Sequence, residues 1–163
     1  MYNDENKQSR VVRISASTEK QSIQFDDESK PLYSCGASDK YICENRNLDI
    51  CVADCGAKAI VVVNQAGKLR FRYNGHIPNP QNIPFNPRGI TRDSQSHILT
   101  SDDNNHCVHI INEDGQFLHY IGCEKRVTLC GLCTDTEDNL FLFGYGHPSF
   151  MLESCVLKIK YLD

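Results

Sequence analysis

Short runs of apolar residues alternate with short polar segments along most of the chain. Residues 89–121 show this most clearly, because three polar segments divide them into four mainly apolar runs. The runs are rich in β-branched and aliphatic side chains, and the polar segments are rich in Asp, Asn, Ser and Gly, which favour tight turns. No window shows a sustained 3.6-residue period. The pattern predicts an all-β chain, with strands over 89–92, 97–101, 107–112 and 116–121.

The chain also repeats itself. Residues 42–71 align without a gap on residues 90–119, a shift of 48, and residues 89–93 align on residues 131–135, a shift of 42. Residues 11–14 look like the tail of a further, degenerate copy. Four short strands in a repeat of this length are typical of a propeller blade. The sequence therefore predicts a partial β-propeller of about three to three and a half four-stranded blades.

The repeat divides residues 1–163, a single partial propeller, into blades. We assign a degenerate, incomplete blade to 1–40, blades to 41–75 and 89–122 with a Pro-rich crossover at 76–88, and a last blade to 130–163 with an insertion near 144–155. A closed ring covers both faces of every blade, whereas an open arc leaves two end faces bare. We therefore expect a homodimer, or N-terminal blades missing from this sequence, to complete the propeller.

The copy at 87–118 carries a specific motif. It reads Pro87-Arg88-Gly89-Ile90-x-x-Asp93, then Ser101-Asp102-x-x-Asn105-His106, then Asp114-Gly115-Gln116-Phe117-Leu118. The copy resembles an NHL repeat, with Asn105-His106 as the Asn-His of the name and Cys107 in place of the usual third residue. The chain as a whole resembles the C-terminal NHL propeller of tripartite-motif proteins, of the kind expanded in molluscs and other invertebrates.

This resemblance implies the last half of a six-bladed ring. It also implies a non-catalytic module that recognises a protein substrate or single-stranded RNA for a tripartite-motif, RING-type E3 ubiquitin ligase-like protein. The RING, the B-boxes and the coiled coil of such ligases are absent from this sequence, which has no Cys/His ladder of RING spacing and no heptads. We therefore expect no catalytic residue and no enzyme activity from the chain by itself.

Acidic and amide residues recur where strands end. Asp54 and Asp102 occupy equivalent positions of the repeat, and so do Asp93 and Asp135. Asp and Asn side chains accept backbone N–H bonds in tight turns and tolerate unusual φ angles. The sequence therefore predicts structural turn roles for Asp54, Asp93, Asp102, Asn105, His106 and Asp135.

One tract is basic in an otherwise acidic chain of net charge −4. Residues 55–92 hold six cations and no Asp or Glu, which leaves 11 cations and 21 acids elsewhere. Alternation along residues 68–73 places the cations on one face of a strand. Two interpretations stay open, a charged outer edge strand that discourages edge pairing and a surface for RNA phosphates. The candidate RNA contacts are Lys68, Arg70, Arg72 and Arg88.

The insertion near 144–155 is unusually apolar for a loop. Its candidate partner contacts are Tyr145, His147 and Phe150. Exposed apolar patches tend to mark interaction surfaces. The insertion is either such a patch or a loop that folds back on itself.

Metal and cofactor sites find little support in the pattern. Cys130-Gly131-Leu132-Cys133 has no second ligand pair at zinc-finger spacing. The predicted inner strands, 42–47, 89–93 and 131–135, contain no His that could hold a metal on the propeller axis. We expect no metal and no cofactor. The alternative is a six-bladed, metal-dependent propeller enzyme of the lactonase or amidating-lyase type.

The composition indicates a compartment. Nine cysteines, with neither the pattern of a signal peptide nor an apolar run long enough to cross a bilayer, fit reduced thiols. We expect a cytoplasmic protein that does not enter the membrane.

Overall fold

The computed structural model describes residues 8–36, 38–76, 83–122, 127–146 and 154–161, and within them the regular structure is strand. In chain order the strands are β1 (Val11–Ser15), β2 (Thr18–Ile23), β3 (Lys40–Glu44), β4 (Ile50–Asp54), β5 (Ala59–Val63), β6 (Leu69–Tyr73), β7 (Pro87–Arg92), β8 (Ile98–Asp102), β9 (Cys107–Ile111), β10 (Phe117–Gly122), β11 (Val127–Thr134), β12 (Asn139–Gly146) and β13 (Ser154–Lys160). The described residues include no helix long and apolar enough to span a membrane.

Each sheet is an antiparallel meander of consecutive strands. The two middle sheets have four strands, β3 to β6 and β7 to β10, while the first sheet pairs β1 with β2 and the last pairs β11, β12 and β13. The strands predicted within 89–121 are all present, each with bounds shifted by at most two residues. The inner strands β3, β7 and β11 lie beside one another, as the innermost strands of successive propeller blades do. The chain is thus an all-β, partial β-propeller.

The middle strands of the two four-stranded sheets are buried on both faces. Val52 of β4 packs toward Ile23 of the first sheet, and the next residue back, Cys51, packs toward Ile98 of the third sheet. All five residues of β4 and all five of β5 are buried. This explains why the apolar runs are nearly continuous, because a strand between two neighbouring sheets has no solvent face. Each such aliphatic side chain contributes about 1.5–3 kcal/mol when fully buried.

The two end sheets have a bare outer face. Leu140 and Leu142 of β12 pack inward against the third sheet. On the opposite face of β12, Phe143 is 45% exposed, and its cross-strand partner on β13, Val156, is 66% exposed. At the other end, Ile14 of β1 is 68% exposed. Apolar side chains therefore face outward at both ends of the stack.

Candidate functional site

Two equivalent aspartates close the first turn of their blades. Asp93 Oδ1 accepts the backbone N–H groups of Gln95 at 2.9 Å and His97 at 2.8 Å. Asp135 Oδ1 makes the same pair of bonds to residues two and four positions later. These Asx turns satisfy backbone donors where the inner strand reverses into the second strand. The structure thus places both residues in turn geometry.

Asp54 and Asp102 each accept a backbone N–H three residues later in their own turn, and they also bind the segment that enters each blade. Asp54 Oδ2 accepts the N–H of Ser34 at 2.7 Å, and Asp102 Oδ1 accepts the N–H of Asn86 at 3.1 Å. Asn105 donates its side-chain amide to Asp102 Oδ2 at 2.7 Å. The carboxylates therefore fasten the crossover before the inner strand to the turn between the second and third strands.

His106 belongs to the same turn as Asp102, and its contribution there is its backbone conformation. Its φ is 50°, and Lys58 at the equivalent position of the preceding blade has a φ of 52°. Both values lie in the left-handed region that a tight reversal requires. Because a lysine serves equally well there, the imidazole of His106 is not what the turn needs.

The cations of residues 68–72 contact acids and carbonyls of other turns. Lys68 Nζ lies 3.6 Å from Asp27, while the Arg70 guanidinium binds Asp49 and also lies 2.8 Å from Asp114. These acids belong to turns of three different blades. The positive charge on this face of residues 68–70 is thus balanced by carboxylates that are distant in sequence.

Arg72 and Arg88 are held in the same way. Arg72 donates to the backbone carbonyl of Leu32 at 2.8 Å. Arg88 lies 3.2 Å from Asp103 and 3.7 Å from Asp39. Because β6 is the outer edge strand of its sheet, this arrangement favours the interpretation of residues 68–73 as a charged edge.

The predicted apolar patch is described only in part. Tyr145 lies near the end of β12, is 38% exposed, and shares its face with Phe143. His147 and Phe150 lie outside the described residues. Tyr145 therefore belongs to the bare outer face of the last blade.

A polar cavity of about 690 Å³ lies at one end of the inner strands. We call it the inner-strand cavity. Its acidic and basic lining residues are Glu44, Asp93, Asp135, Asp138, Arg46 and Arg92, and its remaining lining residues are Cys43, Thr91, Ser94, Thr134 and Thr136. Four acidic and two basic residues thus line the cavity.

Hydrogen bonds across the blades fix the wall of this cavity. Arg92 Nε donates to the backbone carbonyl of Glu44 at 2.9 Å, which joins β7 to β3. On the other side, the Ser94 N–H donates to Asp138 Oδ1 at 2.8 Å, which joins the third sheet to the last. The cavity is therefore built by the packing of three blades and is not a feature of any one turn.

A second polar group lies buried between the two middle sheets. His109 of β9 is 2% exposed; its Nε2 lies 3.3 Å from Asp102 Oδ2 and its Nδ1 lies 2.8 Å from the hydroxyl of Tyr73. Aromatic rings surround it, with the ring centroids of Phe85 at 4.9 Å and Tyr120 at 4.8 Å. We call this the Asp–His–Tyr chain.

The surroundings shift the pKa values of Asp102 and of Tyr120, whose ring packs against His109. Burial raises the pKa of Asp102, but the hydrogen bonds from His109, Asn105 and Asn86 outweigh it and hold the pKa below its ordinary value. Burial, together with the nearby Cys107 and Asp102, raises the pKa of Tyr120 to about 12. The carboxylate is thus charged and the phenol neutral at physiological pH.

Sequence reasoning missed the Asp–His–Tyr chain, although the repeat holds a signal for it. The positions equivalent to His109 are Val61 in the preceding blade and Leu157 in the last blade. A histidine at a position where the other copies use an aliphatic residue departs from the blade pattern. Asp102, Cys107 and His109 bring one ligand atom each to within 4.8 Å of one another, a set that could hold a metal ion.

Comparison with known proteins agrees with the architecture. No protein-family model and no curated protein sequence matches the chain. A catalytically inactive virginiamycin B lyase from Staphylococcus aureus, solved with quinupristin, superposes with a TM-score of 0.60 at 18% identity, over 94% of this chain and 50% of the lyase chain. A chain of the nidogen/laminin complex gives a TM-score of 0.54 at 15% identity, over 90% of this chain and 57% of the other.

The chain thus spans about half the length of these solved structures. At identities below a fifth, the likeness is one of fold alone. The described residues form part of a β-propeller.

Proposed function

We propose that the chain is a non-catalytic binding module that holds a segment of a protein partner in the inner-strand cavity. In this proposal it is the substrate-recognition part of a tripartite-motif ubiquitin-ligase-like protein. The observation that carries the choice of a protein over RNA is the distribution of charge. Acidic residues outnumber basic ones in the lining of the cavity. The four candidate RNA contacts of the basic tract are engaged elsewhere, with acids or backbone carbonyls.

The pairing of the basic tract argues against an RNA surface. A protein that binds RNA non-specifically releases counterions by placing lysines and arginines on phosphates. Arg70 instead contacts two carboxylates, and Arg88 lies within 4 Å of two more. An incoming phosphate would have to displace these acids, so the tract offers little net positive field.

The cavity suits a polar segment that carries lysine or arginine. Glu44 is exposed at the edge of the cavity, where Arg13 lies 3.2 Å from its carboxylate. Asp135 and Asp138 are partly buried, Asp135 fixed by a bond within its turn and Asp138 by a bond from the neighbouring blade. Fixed carboxylates attract a cationic side chain without the cost of reordering on binding. A cavity of about 690 Å³ has room for a few side chains.

Fluorescence anisotropy on the whole chain tests the proposal. The probes are a short fluorescein-labelled lysine–serine peptide and a fluorescein-labelled oligouridylate. We expect the peptide to bind and Glu44→Lys to weaken that binding by about tenfold, which corresponds to about 1.4 kcal/mol. Glu113→Lys, the same charge change in a turn that does not line the cavity, is the matched control and leaves the affinity unchanged.

Two results would overturn the proposal. One is the absence of peptide binding, or binding that Glu44→Lys leaves unchanged. The other is tight, salt-sensitive binding of the oligouridylate that Arg70→Glu abolishes, which would assign the function to RNA instead.

A further inference from the structure

The third sheet carries polar side chains where the repeat calls for apolar ones. Cys107 and His109 of β9 fall on Ala59 and Val61 of β5. Ala59 and Val61 are both fully buried and pack normally. The last blade also has a cysteine, Cys155, at the Cys107 position, so the residue that departs from both other blades is His109. The fold does not need an imidazole there, and its position beside Asp102 and Cys107 indicates another role.

The donor atoms lie at distances that suit a metal ion. For a tetrahedral ion with bonds of about 2.1 Å to nitrogen and oxygen, two ligand atoms lie about 3.4 Å apart. His109 Nε2 and Asp102 Oδ2 are 3.3 Å apart. The Cys107 sulfur, one carboxylate oxygen of Asp102 and one ring nitrogen of His109 all lie within 4.8 Å of one another.

The groups behind the donors are those that orient metal ligands. His109 meets the Tyr73 hydroxyl at 2.8 Å through its other ring nitrogen, Nδ1. Asp102 Oδ2 also accepts from the side-chain amide of Asn105 at 2.7 Å, and its other oxygen accepts from the N–H of Asn86. Outer contacts of this kind fix the ring orientation and the carboxylate of metal-binding residues.

We propose that Asp102, Cys107 and His109 form a binding site for a zinc ion, with a water molecule in the fourth position. A thiolate, an imidazole and a carboxylate are the ligand types that Zn²⁺ takes. On binding, the Cys107 thiol releases its proton to solvent and the His109 ring takes the neutral tautomer with its proton on Nδ1, so that Nε2 presents a lone pair to the ion and Nδ1–H donates to the Tyr73 oxygen.

The place of this site in the fold gives it a structural role. Its ligands come from β8 and β9, and its supporting hydroxyl comes from β6 of the neighbouring blade. An ion bound there would fasten two blades and the crossover at Asn86. The site lies between sheets and is separate from the inner-strand cavity, so the inference does not depend on the proposed function.

Cobalt substitution on the whole chain tests the site. Titration of the metal-free, reduced protein with Co²⁺ should produce a thiolate-to-cobalt charge-transfer band and the strong visible bands of a tetrahedral complex. Cys107→Ala and His109→Val copy the residues of the preceding blade, and each should abolish the charge-transfer band or weaken Co²⁺ binding at least tenfold. Cys155→Ala, the equivalent cysteine of the last blade, is the matched control and should leave the spectrum unchanged.

Thermal unfolding adds a second readout that does not need cobalt. Zn²⁺ should raise the Tm of the natural protein and not that of Cys107→Ala, whose circular dichroism spectrum establishes that it is folded. The inference is overturned if Co²⁺ gives no charge-transfer band. It is overturned equally if the band persists in folded Cys107→Ala, since the ion would then lie elsewhere.

Discussion

Asp102 accepts a hydrogen bond from the backbone N–H of Asn86 at 3.1 Å, although sixteen residues separate them in the chain. Asp54 makes the equivalent bond to Ser34 at 2.7 Å across twenty residues. Both carboxylates are fully buried. Asp54 and Asp102 thus have the same structural role in their two blades. Each holds the crossover segment against the turn between the second and third strands.

Removal of this contact should destabilise the chain. Asp54→Ala leaves the N–H of Ser34 and that of Ala57 without an acceptor. We expect the free energy of unfolding to fall by about 2–4 kcal/mol, measured by urea denaturation followed by circular dichroism. Asp27→Ala, which removes an exposed ion pair with Lys68, should cost at most about 0.5 kcal/mol. Equal losses in the two variants would contradict this assignment.

Stability should depend on the charge of Asp102 at low pH. Its pKa in the folded protein is depressed, so the folded state binds the proton less readily than the unfolded chain, whose Asp pKa is about 3.9. The stabilisation is present above that value and is lost as the pH falls through the folded pKa. Asp102→Asn should flatten this acid limb when the urea midpoint is followed against pH. Parallel curves for the two proteins would show that other carboxylates dominate.

The close approach of two blades at Gly115 can be tested by a single methyl group. Gly115 has a φ of +83°, and an added Cβ would lie 2.6 Å from the ring of Phe71 on the neighbouring blade. Gly115→Ala should therefore lower the free energy of unfolding by about 2 kcal/mol or more.

Gly36 provides the control for that substitution. Its φ is +88° with no atom within 4 Å of the added Cβ, so Gly36→Ala reports the backbone strain alone, about 1 kcal/mol. Similar losses at Gly36 and Gly115 would mean that the blades separate enough to admit the methyl group.

The bare outer face of the last blade should promote self-association. Phe143 and Val156 face outward there, and exposed apolar patches of this kind favour contact with another surface. We expect the chain to form a dimer, and Phe143→Ser combined with Val156→Ser to raise the dissociation constant by about tenfold or more in sedimentation equilibrium. A monodisperse monomer at high concentration would contradict this expectation.

The strands and turns could be predicted because their signals are local. Apolar runs of about five residues, broken by Asp, Asn and Gly, define the blades, and the repeat supplies their order. Alternation along β6 also gave the correct face for Arg70 and Arg72. These inferences need only neighbours in sequence.

The partners of these side chains could not be predicted, because they come from other blades. Arg70 meets Asp49 and Asp114, residues 21 and 44 positions away. The alternation of polar and apolar residues predicts which face of a strand a side chain lies on. It does not predict which residues of another blade that side chain contacts. The Asp–His–Tyr chain was missed for the same reason, since Tyr73 and His109 are 36 residues apart and meet only when two sheets pack.

The burial of β4 and β5 on both faces determines how their amide hydrogens exchange with solvent. Amide hydrogens in these strands, and in β8 and β9, reach solvent only when neighbouring sheets part. Those of β1, β2 and β13 lie in sheets with one open face and exchange through local fraying. Protection against deuterium should thus decline from the middle of the stack toward both ends, so that the propeller loosens from its terminal blades inward.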